Sequence, residues 1–521
     1  LGTPPVELGD GLEDMHAVAN SLMWGPDGWI YGCQGSTCKA SITQPGVDKA
    51  PLDFSGQCIW RYEPGKKTFE VFAEGGYNNF GIAMDPAGRM FTGSNGGIIG
   101  VYYVQGGYYW KNWGKHGPHS NPYTFGYLPS MSDTSSKAKL SQGMAWHEHG
   151  GLPERYDNHL IVARVMQHRI DDCLVTPNKS NFDAKELGPL VSSKDASFRP
   201  VDVKVGPDGA LYVADWYDDN VTWQVSAEKQ STARDTGRVY RVAATGLKPF
   251  KPFDWRTKSV ADLAALSLDG NPWERQMALR LLHDGAPEAA EAAKLRDIAA
   301  HEGNQRGLNA LWASYALEHT VDTARLLQNG NPDIRRWAAR LLGEVKGTAA
   351  EKGLAAWART EPNVDVRSQL AATARRLSGP EALRTLAMLA RRPEAADDPF
   401  LPLLLWWAVQ EKIETEPEAA RAWVLNDAPW EAPVFVNDLA PRLGRRFTQE
   451  RSPEALRFAA QVLARPTEAA ARLAVMRGME EGLRGAPVTE VPEELKAAVN
   501  ALLVDSVPDG TLINVAMRLG V

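Results

Sequence analysis

Apolar and polar residues alternate in short runs through the first half of the chain and recur every three to four residues through the second. Over Phe198 to Asp219, Val201, Val203 and Val205 alternate with polar residues, and the chain turns at Gly206-Pro207-Asp208-Gly209. Leu211, Val213 and Trp216 then resume the alternation. This spacing predicts two antiparallel strands joined by a tight turn, with Pro presetting φ and Gly supplying a positive φ. The unit recurs at Leu22–Tyr31 around Gly25-Pro26-Asp27-Gly28, and more loosely at Ile82–Phe91 around Asp85-Pro86-Ala87-Gly88. A copy with a longer turn follows at Met144–Trp146 and His159–Val162. Repeats of about 60 residues, each a few strands, predict about four blades of a β-propeller over residues 1–245, with further blades expected N-terminal to Leu1. Ile59-Trp60-Arg61-Tyr62 and Arg238-Val239-Tyr240-Arg241-Val242 read as blade-closing strands.

The period changes after a Pro/aromatic linker at 246–258. Asn271-Pro272 and Asn331-Pro332 each open a helical stretch, with Asn as N-cap and Pro at the first helical position. Ile334, Trp337, Ala338, Leu341 and Leu342 share one face of the second stretch. Stacked helix pairs at about 30-residue spacing predict an all-α, HEAT-like solenoid over 259–521. The fold class is therefore multidomain, an all-β propeller followed by an α-solenoid.

The net charge of −7 argues against a nucleic-acid partner, and no apolar run of 18 residues or more marks a membrane span. The chain begins at Leu1 and reads as a fragment or processed form, so the missing signal peptide leaves export open. Among the four cysteines, Cys33, Cys38 and Cys58 are either buried thiols or carry a disulfide; no Cys-x-x-Cys-His motif occurs.

Candidate chemistry collects before and after the blade strands. His16 precedes the first unit and reads either as a general base facing a central cavity or as a histidine satisfied by the adjacent turn. Asn78, Asn79, Arg164, Arg199 and Asp202 occupy comparable positions in other units, where a propeller converges polar groups on its axis. Their ordinary alternative is surface ion pairing. His147-Glu148-His149 offers a metal reading, and Asp215–Asn220 a calcium reading against an acidic tight turn. The Gln105–Tyr127 insertion, with Tyr109, Trp110, His116, His119 and Asn121, either stacks a sugar or packs on the propeller.

Four stretches carry a family resemblance: GLEDMHAVANSLMWGPDGWIYGCQGSTC, QCIWRYEPGKKTFEVFAEGGYNNFGIAMDPAGRMFTGSNGG, YVQGGYYWKNWGKHGPHSNPYTFGY and FRPVDVKVGPDGALYVADWYD. Together they resemble the "membrane-bound dehydrogenase domain" proteins, also called PVC-type haem-binding CxxCH proteins. These join a glucose/sorbosone dehydrogenase-like propeller to HEAT-like repeats and often to a cytochrome c domain. The resemblance implies a periplasmic or secreted quinoprotein-like dehydrogenase. It would use pyrroloquinoline quinone (PQQ) and calcium to oxidise a sugar or alcohol and pass electrons to a cytochrome c, with haem c only in a domain beyond Val521. It implies His16 as catalytic base and Arg199 as a cofactor-facing arginine. The family's arginine-asparagine pair falls at Asn78-Asn79, and its acidic position falls near Gln34. Alternatives on the same architecture are a non-catalytic scaffold binding polysaccharide or protein, and a metal-assisted lactonase-type hydrolase.

Overall fold

The computed structural model describes residues 19–36, 39–44, 48, 50–93, 99–111, 118–133, 141–218, 235–345, 353–485, 488–505 and 510–521. Within them a sheet-rich N-terminal region is followed by a helical C-terminal region. The strands are β1 (Asn20–Trp24), β2 (Ile30–Gln34), β3 (Lys39–Ile42), β4 (Leu52–Ser55), β5 (Cys58–Glu63) and β6 (Thr68–Gly76). They continue with β7 (Phe80–Met84), β8 (Met90–Gly93), β9 (Val101–Tyr103), β10 (Tyr108–Lys111), β11 (Ser132–Asp133) and β12 (Ser141–His147). The last are β13 (His159–Arg164), β14 (Arg169–Asn178), β15 (Asn181–Ser192), β16 (Pro200–Val205), β17 (Leu211–Asp215) and β18 (Arg238–Val242).

They form sheets ordered β1-β2-β5-β6-β10, β7-β8-β9, β11-β15-β14-β13-β12 and β16-β17-β18, with β3-β4 as a separate ribbon. In each of the larger sheets the strand earliest in the repeat lies against its counterpart in the next sheet: β1 on β7, β7 on β12, β12 on β16. The approach is close. A Cβ on Gly143 would sit 2.3 Å from the Asp202 Cα, so only glycine fits where β12 meets β16. Between the third and fourth sheets Ala145, Ile161, Ala163, Ile170, Val203, Leu211 and Val213 form one apolar core. Phe91, Trp146 and Phe182 fill the corresponding space one sheet earlier. No closed ring of sheets is seen among the described residues.

The three short turns share one construction. Gly28, Gly88 and Gly209 have φ of 80°, 70° and 77°. Their amides donate to Gly25 O, Asp85 O and Gly206 O respectively, closing the tight turn. Behind two of them sits a repeated trio. Asp27 Oδ2 accepts from Tyr31 Oη (2.6 Å) and Arg61 Nη1 (3.3 Å). Asp208 Oδ2 accepts from Tyr212 Oη (3.3 Å) and Arg241 Nε (2.7 Å).

The helices are α1 (Val260–Asp269), α2 (Pro272–Asp284), α3 (Ala289–His301), α4 (Gln305–Glu318), α5 (Thr323–Leu326), α6 (Pro332–Leu342), α7 (Leu354–Thr360) and α8 (Val364–Arg376). They continue with α9 (Pro380–Ala390), α10 (Leu401–Thr415), α11 (Pro417–Asn426), α12 (Ala440–Glu450), α13 (Pro453–Ala464), α14 (Ala469–Gly482), α15 (Glu493–Asp505) and α16 (Gly510–Leu519). Asn271 caps α2 through Glu274 N, and Asn331 Oδ1 accepts from Asp333 N at the start of α6, as the Asn-Pro pairs predict. The expected apolar face of α6, from Ile334 to Leu342, is wholly buried.

Two compact units emerge. The first comprises residues 1–122 and 127–341, and the second residues 123–126 and 342–521. In the first, the opening helices grip the turns of the sheets. Gln305 Nε2 donates to Pro86 O (2.7 Å), Trp337 Nε1 to Ala87 O (2.7 Å) and Asn271 Nδ2 to Pro207 O (2.9 Å). Arg340 Nη2 reaches Asp27 Oδ2 at 2.9 Å, so two buried arginines share that carboxylate. In the second unit Tyr123–Gly126 lies among the helices. Trp406 and Trp407 donate their indole N–H groups to Tyr123 O and Thr124 O (2.8 Å each), and Arg446 lies 3.6 Å over the Tyr123 ring. No helix among the described residues is long and apolar enough to cross a membrane.

Candidate functional site

The helices occupy the turn ends of β1, β7 and β16, so the strand-start ends are where the sequence candidates fall. Asn78 and Asn79 lead into β7. Asn78 Oδ1 accepts from Ser36 N (2.6 Å). Asn79 Nδ2 donates to Gly75 O (3.2 Å), its Oδ1 accepts from Tyr103 Oη (2.9 Å), and both residues are buried. The backbone carbonyl of Asn79 accepts from Asn20 Nδ2 at 3.5 Å, tying β7 to the start of β1.

Arg164 ends β13, inside the third sheet. Its Nε pairs with Asp171 Oδ2 at 3.0 Å, both side chains fully buried, its Nη2 lies 3.5 Å from Glu186 Oε2, and its Nη1 donates to Ser141 Oγ. Arg169 grips the same two carboxylates from the outside. Arg164 is the cation of a sheet-internal network, and the expected surface pairing is replaced by a buried one. Asp202, on β16, is partly exposed; it accepts from Val203 N and lies 3.3 Å from Lys204 Nζ.

Arg199 precedes β16. Its Nε donates to Asp218 O (3.1 Å) and its Nη1 to Val165 O (3.3 Å). His168, unremarked in the sequence, meets it: Nη1 lies 3.3 Å from His168 Nε2, while His168 Nδ1 lies 2.9 Å from Phe198 O. A proton on Nδ1 donating to that carbonyl leaves Nε2 as the acceptor for Arg199, which defines a neutral tautomer. Its sequence signal is a histidine four residues after Arg164, and in the structure its φ of 53° is left-handed.

The commitments of Asn78, Asn79 and Arg164 turn these side chains toward the protein. His16, His116 and Cys38 lie outside the described residues. Neither metal reading of the sequence gathers a ligand set among the described residues, and Asp219 and Asn220 lie outside them. β12 ends at His147, which is buried with Nδ1 3.1 Å from Tyr156 O, whereas His149 is exposed and Glu148 pairs with Arg275. The two histidines share no ligand site. Asp215 Oδ1 instead accepts from Arg199 N and Tyr217 N, the acidic-turn alternative. Among the described residues no three His, Cys, Asp or Glu side chains converge to hold a metal ion. Cys33 is a buried thiol donating to Asn20 Oδ1; burial pushes it, and Cys173, up to about 12.

The insertion builds the other candidate surface. β10 returns to the first sheet, parallel to β6. Lys111 Nζ donates to Glu74 Oε1 (2.7 Å), Ser55 O (2.8 Å) and Pro118 O (3.1 Å), and Glu74 also accepts from Ser120 N (3.0 Å). This buried knot ties Pro118 and Ser120 to β6 and β10. Tyr109 is wholly buried, its hydroxyl donating to Tyr102 O (2.8 Å) and accepting from Val104 N (3.0 Å). Tyr109 and Leu128 form a parallel bridge and both point inward, so their neighbours Trp110 and Tyr127 point outward. Each is 46% exposed. Tyr77 supports Trp110 edge-on at 5.8 Å, and His119 stacks on Tyr127 at 5.1 Å with its Nε2 2.9 Å from Tyr109 O. Burial lowers the His119 pKa, keeping the ring neutral. Asn121 is half-buried.

The architecture is thus a sheet-rich region joined to helical repeats. Residues 7–246 match the family described as "Domain of unknown function (DUF7133)", and residues 323–398 match HEAT repeats. Among solved structures, a putative oxidoreductase of Thermus thermophilus, described as a glucose dehydrogenase, is 22% identical. The match covers 45% of this chain and 67% of that one, with a TM-score of 0.30. No curated protein matches the chain.

Proposed function

We propose that residues 19–242 are blades of a β-propeller, and that this propeller, carried on a HEAT-like solenoid, recognises carbohydrate outside the cytoplasm. One observation carries the reading: two large aromatic rings, Trp110 and Tyr127, stand exposed on a loop whose base is clamped by the buried Glu74–Lys111 pair. Aromatic faces stack on the C–H faces of pyranose rings, and a rigid platform avoids the ordering cost that a mobile loop would incur. His119, stacked on Tyr127 with its Nε2 engaged by Tyr109 O, leaves its Nδ1 as a hydrogen-bonding group beside that ring. Glycan-array screening followed by titration of the best polysaccharide tests this. Trp110→Ala is expected to weaken binding about tenfold, each aromatic contact being worth roughly 0.5–1.5 kcal/mol beyond its area. Unchanged binding in that variant would sink the shelf.

A second reading, sugar or alcohol oxidation with PQQ and calcium and onward electron transfer to a cytochrome c, is favoured by the Arg199–His168 contact at a strand start. Supporting it are the family resemblance of the quoted stretches and the side-by-side packing of β1, β7, β12 and β16. Dye reduction with aldoses and alcohols after PQQ and calcium loading separates the two. Turnover supports the second reading, and glycan binding without cofactor uptake supports the first.

A further inference from the structure

Behind the turns, within the first unit, lies a cavity of about 170 Å³. It is bounded by the turn-proximal halves of β1, β7, β12 and β16 on one side and by α1, α2 and α4 on the other. Its wall is soft and apolar, with Met23, Met84 and Met144 from three successive sheets beside Ile82, Trp146 and Trp312. The acids and amides at its edge are already engaged. Glu148 pairs with Arg275, Asp85 with Arg89, Gln276 donates to Trp24 O and Asn309 to Leu268 O.

What remains is a set of donors. The indole N–H of Trp312, a residue only 8% exposed, and that of Trp146 are buried with no acceptor among the described residues. Lys204 also lines the cavity; its Nζ lies 3.3 Å from the carboxylate of Asp202, a partly exposed ion pair weak enough for a bound anion to compete with. A buried donor without an acceptor is costly, so an acceptor brought within reach of either indole N–H would be favoured. The size is telling as well. A cavity of about 150 Å³ accepts benzene, whereas drug-sized ligands need roughly 300–1,000 Å³.

We infer that this cavity binds an aromatic monocarboxylate of about benzoate size, its ring against the methionines and tryptophans and its carboxylate toward Lys204 and the indole N–H groups. The site lies on the turn side of the sheets and is independent of the carbohydrate shelf.

The test uses the full chain with benzoate as probe, and benzyl alcohol and benzylamine as neutral and cationic controls. Binding is read by saturation-transfer NMR and by tryptophan fluorescence. Saturable benzoate binding is expected, with benzylamine excluded. Lys204→Met should weaken benzoate about tenfold, in the range of a lost charge-assisted hydrogen bond. Trp312→Phe, which keeps the ring and removes the N–H, should weaken it less. If Trp312→Phe does not fold, the partly exposed Lys204 carries the test alone. Absence of saturable benzoate binding overturns the inference. So does equal binding of the three probes, or an unaltered affinity in Lys204→Met. Trp110→Ala should leave benzoate binding unchanged, so failure of the carbohydrate reading and failure of this one are distinguishable.

Discussion

Asp27 and Asp208 occupy the same place in two repeats with both carboxylates buried, and they differ in the exposure of the arginine beside them, which makes them a matched pair. Asp27 lies between Arg61 and Arg340 with all three side chains buried, while Arg241 beside Asp208 is partly exposed. Removing one member of a buried ion pair leaves an uncompensated charge, so Asp27→Ala should cost about 3–5 kcal/mol in chemical denaturation. Asp208→Ala, with water able to solvate Arg241, should cost much less. Buried histidines give a second expectation. Desolvation lowers the pKa of His147 and His283 below 6.5, so the unfolded chain binds protons that the folded one refuses. Their contribution to stability is therefore full above about pH 6.5 and is lost as pH falls through and below it. The melting temperature should drop between about pH 7.5 and pH 5.5, and a His147→Gln/His283→Gln variant should show a flatter profile.

At the scale of elements, the hairpins were the most legible part of the sequence. A Pro-x-Gly turn between alternating runs leaves the backbone little choice, and three such turns close as read. Gly88→Ala tests the device. Its φ of 70° and a Cβ position 2.6 Å from the Trp337 ring predict a loss exceeding the roughly 1–2 kcal/mol of the left-handed penalty alone. The insertion was half legible. Its aromatics announced a packed or binding loop, but alternation alone could not show that Tyr109 faces inward and Trp110 outward, because that depends on the bridge to Leu128. Glu74 and Lys111 were missed for a related reason: a buried ion pair 37 residues apart leaves no local pattern. Arg164 was noticed for its position, yet the carboxylates that claim it, Asp171 and Glu186, lie on later strands. Glu74→Ala should raise hydrogen exchange at Ser120, whose amide the carboxylate accepts, while exchange in β16–β18 stays as in the parent.

For the whole molecule, composition changes at 246–258, but the first compact unit extends through α6. The reason is physical: Trp337, Arg336 and Arg340 end in buried hydrogen bonds to the turns, contacts that helix periodicity cannot reveal. A fragment ending at Leu341 should therefore melt cooperatively. One ending at Lys258 should melt at lower temperature or aggregate, having bared the turn carbonyls and the Asp27 carboxylate.

The same grip limits how the protein can drift over time. Because α2, α4 and α6 read the tips of the hairpins atom by atom, an extra residue there would unseat a helix. An extra residue in a loop leading into a strand would meet none of these three helices. Relatives should accumulate length variation at the strand-start loops and almost none at the Gly-Pro-Asp-Gly tips, which places any divergence of ligand preference on the side that α2, α4 and α6 do not grip.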